Sequence, residues 1–195
     1  MSTQLLAFSG SLRADSLNTQ LAFLAADLAE SKGAVVTRLK LQDLNLPMFD
    51  EDSEAATGLP AGVKQLKALM RAHDGFLIAT PEYNGFMSGA LKNAIDWVSR
   101  SLDRPFTGKP VAILGCSTGT SATMQAQYHL RHVMIFLDMR PLNKPEVFIA
   151  CAGNLFEDGK LTDDDTAVRL GNLFAVLAAW RSMYLSMAKE VELGC

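Results

Sequence analysis

The sequence predicts an α/β fold, a three-layer sandwich of one five-stranded parallel sheet in the order 2-1-3-4-5 with helices on both faces. Three observations predict it. Short apolar runs of strand length alternate with longer stretches of helical periodicity along the chain, the pattern of a parallel sheet built by right-handed crossovers. Four of the five runs lack polar alternation, as strands covered on both faces do. The remaining run, residues 34–41 (AVVTRLKL), does alternate and reads as an edge strand. At 195 residues the chain suits one domain, residues 1–195, with a sizeable core.

The elements follow in order. Residues 5–8 (LLAF) form the first strand. The first helix carries Leu17, Leu21, Leu24, Ala25 and Leu28 on one stripe and is predicted to end at Lys32, with Gly33 as its stop. In the edge strand, Val35, Leu39 and Leu41 are expected on one face and Arg38 and Lys40 on the other. Residues 42–58 are polar, acidic and broken by Pro47, and read as a long loop. Val63, Leu66, Leu69 and Met70 mark the second helix, and residues 76–79 (FLIA) the third strand. A turn-rich loop, residues 80–89 (TPEYNGFMSG), leads to Ser88, a cap for a helix with Leu91, Ala94, Ile95 and Val98 inward. Residues 105–110 are a linker, and residues 111–114 (VAIL) the fourth strand. After GCSTGTS (115–121) a helix is expected to run to about Met139. Residues 147–150 (VFIA) are the fifth strand. Thr162, followed by Asp163, Asp164 and Asp165, reads as a helix start. Leu173, Phe174, Leu177, Trp180, Tyr184 and Met187 form the buried face of that last helix.

In this order the switch point falls between strands one and three, where ligands bind beyond the C-terminal strand ends. The loop after strand one, AFSGSLRADSLN at residues 7–18, is therefore central. It offers three hydroxyls (Ser9, Ser11, Ser16), one amide (Asn18) and one guanidinium (Arg13), entering a helix N-terminus. That donor set suits a phosphate monoester. It is neither a Walker A loop nor a G-x-G-x-x-G fingerprint, because no Gly-Lys pair occurs and Gly10 stands alone. Ala7 occupies the place of a Cys-x5-Arg nucleophile, so the loop is expected to hold phosphate without cleaving it. The loop after strand three offers Tyr83, Asn84 and backbone beside Gly85. The loop after strand four, Ser117 to Gly119, is expected to close the far side. A flat heteroaromatic with a phosphate tail fits these three walls, and FMN is such a ligand.

GSLRADSLN at residues 10–18 and PEYNGFMSGALKNAIDW at residues 81–97 resemble the NADPH-dependent FMN reductase family, which includes quinone, azo-dye and chromate reductases of flavodoxin-like fold. The resemblance covers most of the chain. It implies that the first loop binds the FMN phosphate through Ser11, Arg13, Ser16 and Asn18, with Ser9 and Leu17 at its two ends also cofactor-binding. It implies that Pro81, Glu82, Tyr83, Asn84 and Gly85 lie along the isoalloxazine ring and that Ser117 approaches its other edge. Relatives often show a glycine-rich segment where this chain has TSATMQ (120–125), so Ser117 alone is assigned from that loop. Alternative readings stand beside these. Glu82 reads as structural or exposed rather than catalytic, Asn84 as a turn residue, Trp97 as core, Cys116 as a small buried thiol, and His129, Arg131 and Glu146 as surface or subunit-contact residues.

The implied activity is NAD(P)H-dependent reduction of quinones, flavins, azo dyes or metal oxyanions such as chromate. It would run as a ping-pong cycle in which NADPH or NADH gives a hydride to the flavin N5 and no protein group is catalytic. The competing reading is an electron carrier of the flavodoxin kind, against which a net charge of only −3 argues mildly. The same charge, without a basic cluster, excludes nucleic acid as a partner. His129 and His132 lack companions at ligand spacing, so no metal site is expected. The three cysteines, Cys116, Cys151 and Cys195, show no paired spacing. With no signal peptide and no apolar run of membrane length, they point to a cytoplasmic protein. The helix ending in Trp97 and Val98, and the helix with Met124, Tyr128, Met134, Ile135 and Phe136, look apolar over more than one face. A homodimer or homotetramer with the flavin near the subunit boundary is the expectation.

Overall fold

The structure is a computed structural model that describes residues 2–100, 103–154, 156–157 and 160–193. In chain order its elements are β1 (Gln4–Ser9), α1 (Leu17–Ser31), β2 (Val35–Lys40), α2 (Glu51–Thr57), α3 (Ala61–Ala72), β3 (Gly75–Ala79), a small hairpin of β4 (Glu82–Tyr83) and β5 (Phe86–Met87), α4 (Gly89–Ser99), β6 (Pro110–Cys116), α5 (Met124–Phe136), β7 (Arg140–Pro141), β8 (Val147–Ile149), a second hairpin of β9 (Phe156–Glu157) and β10 (Lys160–Leu161), and α6 (Asp164–Leu193).

The main sheet is parallel and runs β2-β1-β3-β6, with β7 and β8 both pairing with the outer edge of β6. The order 2-1-3-4-5 therefore holds by position, but the sheet has six strands, because the fifth position is shared. β7 pairs at the start of β6, through Pro110 and Val111, and β8 pairs at its end, through Leu114, Gly115 and Cys116. Pro141 and Pro145 fall in this stretch, and neither has an N–H to give a continuous ladder.

Alternate residues of the central strands feed two cores. Leu5, Ala7, Leu77, Ala79 and Leu114 pack under α1 and α6, against Leu21, Leu173 and Leu177. Leu6, Phe8, Phe76, Ile78 and Ile113 pack on the other face, against Leu66, Met70, Leu91, Val98 and Leu130. The apolar runs were uninterrupted because both faces are buried.

Several expectations are corrected. Residues 42–58 are not a plain loop. A short 3-10 turn spans Leu41–Leu44, and α2 follows, capped by Asp50, whose carboxylate accepts from the Asp52 N–H. None of its residues is buried, so no apolar periodicity announced it. Val35 lies exposed at the open end of the edge strand, while Leu39 and Leu41 are buried as expected. Asp163 caps the last helix, accepting from the Thr166 N–H at 2.9 Å. α5 ends at Phe136, short of Met139. Trp97 and Val98 do not project to a second surface; both are buried within the chain. The Trp97 indole N–H donates to the Pro47 carbonyl at 2.8 Å, and Phe49 meets its ring edge-on. Met134 is buried too, whereas Met124, Tyr128, Ile135 and Phe136 are exposed. Leu173, Phe174 and Leu177 are buried on α6, with Trp180 partly so. The Met187 side chain and Cys195 lie outside the described residues.

Candidate functional site

The C-terminal ends of β1, β3 and β6 are brought to one level by hydrogen bonds that continue the sheet beyond its strands. The Gly10 N–H donates to the Ala79 carbonyl (2.9 Å), Thr80 to Leu114 (3.0 Å) and Ser117 to Ile149 (3.0 Å). The three loops therefore leave the sheet side by side. They enclose a cleft of roughly 550 Å³, open mouth included, lined by Ser11, Arg13, Ser16, Leu17 and Asn18 from the first loop, Pro81, Glu82 and Tyr83 from the second, and Cys116, Ser117 and Thr118 from the third. This is the crevice at the topological switch point.

The first loop is a chain of hydroxyl-to-backbone contacts. Ser9 Oγ accepts from the Ser11 N–H (3.1 Å), Ser11 Oγ from the Arg13 N–H (3.3 Å), and Ser16 Oγ caps α1 by accepting from the Thr19 N–H (3.2 Å). Each hydroxyl oxygen is thus used as an acceptor, which leaves its own O–H as a donor, and of the three Ser11 and Ser16 line the cleft. Leu17 contributes through its backbone, since the first N–H groups of α1 have no intrahelical acceptor. Arg13 is exposed, and none of the ion pairs among the described residues involves it. Cleft hydroxyls, a helix N-terminus and an unpaired guanidinium fit a phosphate monoester.

Asn18 has a second task. Its Nδ2 donates to the Cys116 carbonyl (2.9 Å) and its Oδ1 accepts from the Cys116 N–H (3.0 Å), bolting the start of α1 to the end of β6. Gly10 is where this loop touches α4. A Cβ there would stand 2.8 Å from Leu91 Cβ. Ser88 also donates its hydroxyl to the Gly10 carbonyl at 2.5 Å while capping α4 by accepting from the Leu91 N–H.

The second loop is the β4–β5 hairpin. Asn84 and Gly85 both have positive φ (53° and 73°), the geometry of a two-residue type I′ turn. They sit at the hairpin tip rather than on the cleft wall, as Ser9 sits behind the first loop. Glu82 docks the hairpin on α5: its carboxylate accepts from the Ala126 N–H at 3.1 Å, supplying the cap that Thr123 does not. Phe86 stacks on His129, ring centroids 4.3 Å apart. Tyr83, its cross-strand partner, stands half exposed at the cleft.

In the third loop Ser117 donates its hydroxyl to the Gly119 carbonyl (3.1 Å). Sequence reasoning left Cys116 and Thr118 out of the site, yet both line the cleft. Their position flanking Ser117 was the available signal. Burial pushes the Cys116 thiol up to about 12, so it is an inert wall and not a nucleophile. Arg131 is buried, donating to the Leu142 carbonyl at 2.5 Å, and Glu146 accepts from the Tyr128 hydroxyl at 2.8 Å. Neither lines the cleft.

Fold and cleft define a flavodoxin-like α/β protein with its ligand cleft at the switch point of the sheet. A family model described as NADPH-dependent FMN reductase matches residues 3–154. Among curated proteins, the chain is 45% identical over 181 residues to an NAD(P)H-dependent FMN reductase of Pseudomonas aeruginosa, covering 91% of this chain and 94% of that one. It is 41% identical over 143 residues to a quinone reductase of Escherichia coli K12, covering 73% and 75%. Among solved structures, the flavoenzyme NAD(P)H:(acceptor) oxidoreductase FerB of Paracoccus denitrificans superposes with a TM-score of 0.82 at 30% identity, covering 93% of this chain and 98% of that one. The chain belongs to the NADPH-dependent FMN reductase family.

Proposed function

We propose that the chain, acting as one domain over residues 1–195, is an NAD(P)H-dependent FMN oxidoreductase that passes electrons to small-molecule acceptors. The observation that carries the reading is the cleft itself: a phosphate-type donor set, an exposed tyrosine and a small polar loop converge at the switch point. FMN, when bound, supplies the hydride and electron chemistry. The chain's residues bind and orient. Ser11, Ser16, the Leu17 and Asn18 N–H groups and Arg13 hold the phosphate end, with Ser9 bracing Ser11 from behind. Pro81, Glu82 and Tyr83 carry the ring, and Asn84 and Gly85 shape the hairpin that presents them. Ser117, with Cys116 and Thr118, closes the opposite edge.

The reading includes a ping-pong cycle, in which the oxidised donor leaves before the acceptor binds. Either NADPH or NADH serves as donor, and quinones, flavins, azo dyes or metal oxyanions such as chromate serve as acceptors. Among the described residues no helix is long and apolar enough to cross a membrane, and the reading places the enzyme in the cytoplasm. The exposed Met124, Tyr128, Ile135 and Phe136 of α5 support a homodimer or homotetramer. The test of the activity is initial-rate kinetics with NADPH and a quinone on FMN-loaded protein. Parallel double-reciprocal lines are expected. Intersecting lines would overturn the ping-pong cycle, and absence of NAD(P)H oxidation would overturn the enzyme reading in favour of an electron carrier.

A further inference from the structure

Thr123 and Gln127 do not line the switch-point cleft, yet they hold two of its walls from behind. Both side chains are fully buried. The third loop enters α5 through two consecutive residues at positive φ, Ala122 (51°) and Thr123 (62°). Neither is glycine, and a β-branched side chain rarely takes this conformation. Such a turn persists only where its surroundings over-determine it.

The surroundings are a buried polar knot. Gln127 Nε2 donates to Thr123 Oγ1 (3.2 Å) and to the Val147 carbonyl (2.9 Å). Both amide hydrogens are then engaged. The Val147 carbonyl can only accept, so it fixes which way round the amide sits. Gln127 Oε1 is buried and has no partner among the described residues. An apolar side chain of the same shape would avoid the cost of that oxygen; what the amide adds is its hold on Thr123 and Val147. Gly115 makes room for the knot. A Cβ there would collide with Thr123 Oγ1, and would stand 2.8 Å from the Thr80 carbonyl oxygen and 3.1 Å from Gln127 Nε2.

Two walls of the cleft meet at this knot. Ala126, the residue before Gln127, gives its N–H to the Glu82 carboxylate of the hairpin, and Phe86 stacks on His129 of the next turn. The wall of Pro81, Glu82 and Tyr83 is thereby referenced to the first turns of α5. The opposite wall, Ser117 and Thr118, is tied to β8 at its start by the Ser117 N–H on the Ile149 carbonyl. At its end it is tied to the same strand through Thr123, Gln127 and Val147. The phosphate loop stands apart. The hydrogen bonds of Ser9, Ser11 and Ser16 stay within that loop and the start of α1, and Asn18 reaches Cys116, not the knot.

Resting on the FMN-reductase reading, we propose that Gln127 is a positioning residue for the flavin ring. With Thr123 it locks the left-handed entry to α5, and so sets the spacing between the hairpin and the third loop without acting on the phosphate end.

The test separates ring from phosphate. FMN-free protein is titrated with FMN and with riboflavin, which lacks the phosphate, by fluorescence quenching well below the melting transition of each variant. Gln127→Met keeps the length of the side chain and removes both donors. Thr123→Val keeps the shape and removes the hydroxyl. Each should weaken both flavins about tenfold, the scale of a lost buried hydrogen bond, and leave the ratio of FMN to riboflavin affinity at its wild-type value. The double variant should lose about as much as either single one, because the two residues act as a unit. Thr123→Ser keeps the hydroxyl and should bind both flavins as wild type does. The visible circular dichroism of bound FMN should change in Gln127→Met and Thr123→Val, reporting a displaced ring. A merely structural role would lower the melting temperature and leave affinity and dichroism unmoved in the folded protein, and that result overturns the proposal. So does a loss confined to FMN, which would route the effect through the phosphate, and so does a Thr123→Ser protein as weak as Thr123→Val. If Gln127→Met does not fold, Thr123→Val decides alone. Failure of wild type to bind FMN would instead strike the FMN-reductase reading.

Discussion

Replacing Arg13 with alanine isolates the charge in the phosphate loop. The guanidinium is exposed and has no ion-pair partner among the described residues, so its removal strands no buried group. The loop's own contacts, Ser9 to Ser11, Ser11 to the Arg13 backbone and Ser16 to Thr19, do not involve the side chain. Thermal stability of the FMN-free variant should therefore stay within about 0.5 kcal/mol of wild type. Ligand affinity should not. Two unit charges about 4 Å apart interact by about 1–4 kcal/mol between bulk water and a protein surface, and hydrogen bonds to charged groups contribute about 1.5–3 kcal/mol net. A loss of about 1.5–3 kcal/mol raises the FMN Kd about 10- to 150-fold. Arg13→Lys keeps the charge but not the planar fork, and should fall between. The assay is quenching of FMN fluorescence on FMN-free protein at low and high ionic strength. The wild-type advantage should shrink with salt, because screening at such an exposed site is strong. An Arg13→Ala protein with wild-type FMN affinity at low salt would refute the assignment of this loop to the phosphate.

Two further outcomes concern the frame of the site. Asn18→Ala strands both the N–H and the C=O of Cys116 at a buried position. At about 1–3 kcal/mol for each of the two unsatisfied groups, chemical denaturation should show a loss of about 2–6 kcal/mol, and an unchanged midpoint would remove Asn18 as the bolt. Lys109 lies at the opposite end of the sheet, donating to the Met70 and Arg71 carbonyls at 2.7 and 3.1 Å, and burial lowers its pKa from 10.5 to about 8. Between those values the unfolded chain holds a proton that the folded chain has released, so this group's contribution to stability rises with pH across that window. Lys109→Met should lack that rise when unfolding free energies are compared from pH 7.5 to 10.5; identical slopes would contradict it. The Cys116 thiol, raised from 9.0 to about 12, acts the other way above about pH 9 in both proteins and cancels in the comparison.

The periodicity by itself marked the parallel strands and put the alternating second run at an edge, while the split of the fifth position between β7 and β8 left no trace in it. Residues such as Leu5, Phe76 and Val111 form unbroken apolar runs because both faces of each strand are buried, and burial of that kind is written locally in the chain. The small polar loops at the strand ends were legible for the same reason: GSLRADSLN and PEYNG carry their turn chemistry in their own residues, as Asn84 and Gly85 do at positive φ. The tertiary structure decided what depended on distant partners. α2 buries nothing, so it left no pattern in residues 42–58. Trp97 looked surplus to its helix until the Pro47 carbonyl and Phe49, some fifty positions away, covered it. Asn18 read as one more phosphate donor, and only the fold placed its amide against Cys116. Glu82 likewise found the N-terminus of α5, and Leu12 turned away from the loop it belongs to into a second cleft. Each of these rests on contacts between residues far apart in the chain, and hydrophobic spacing records only whether a side chain is buried, never by what.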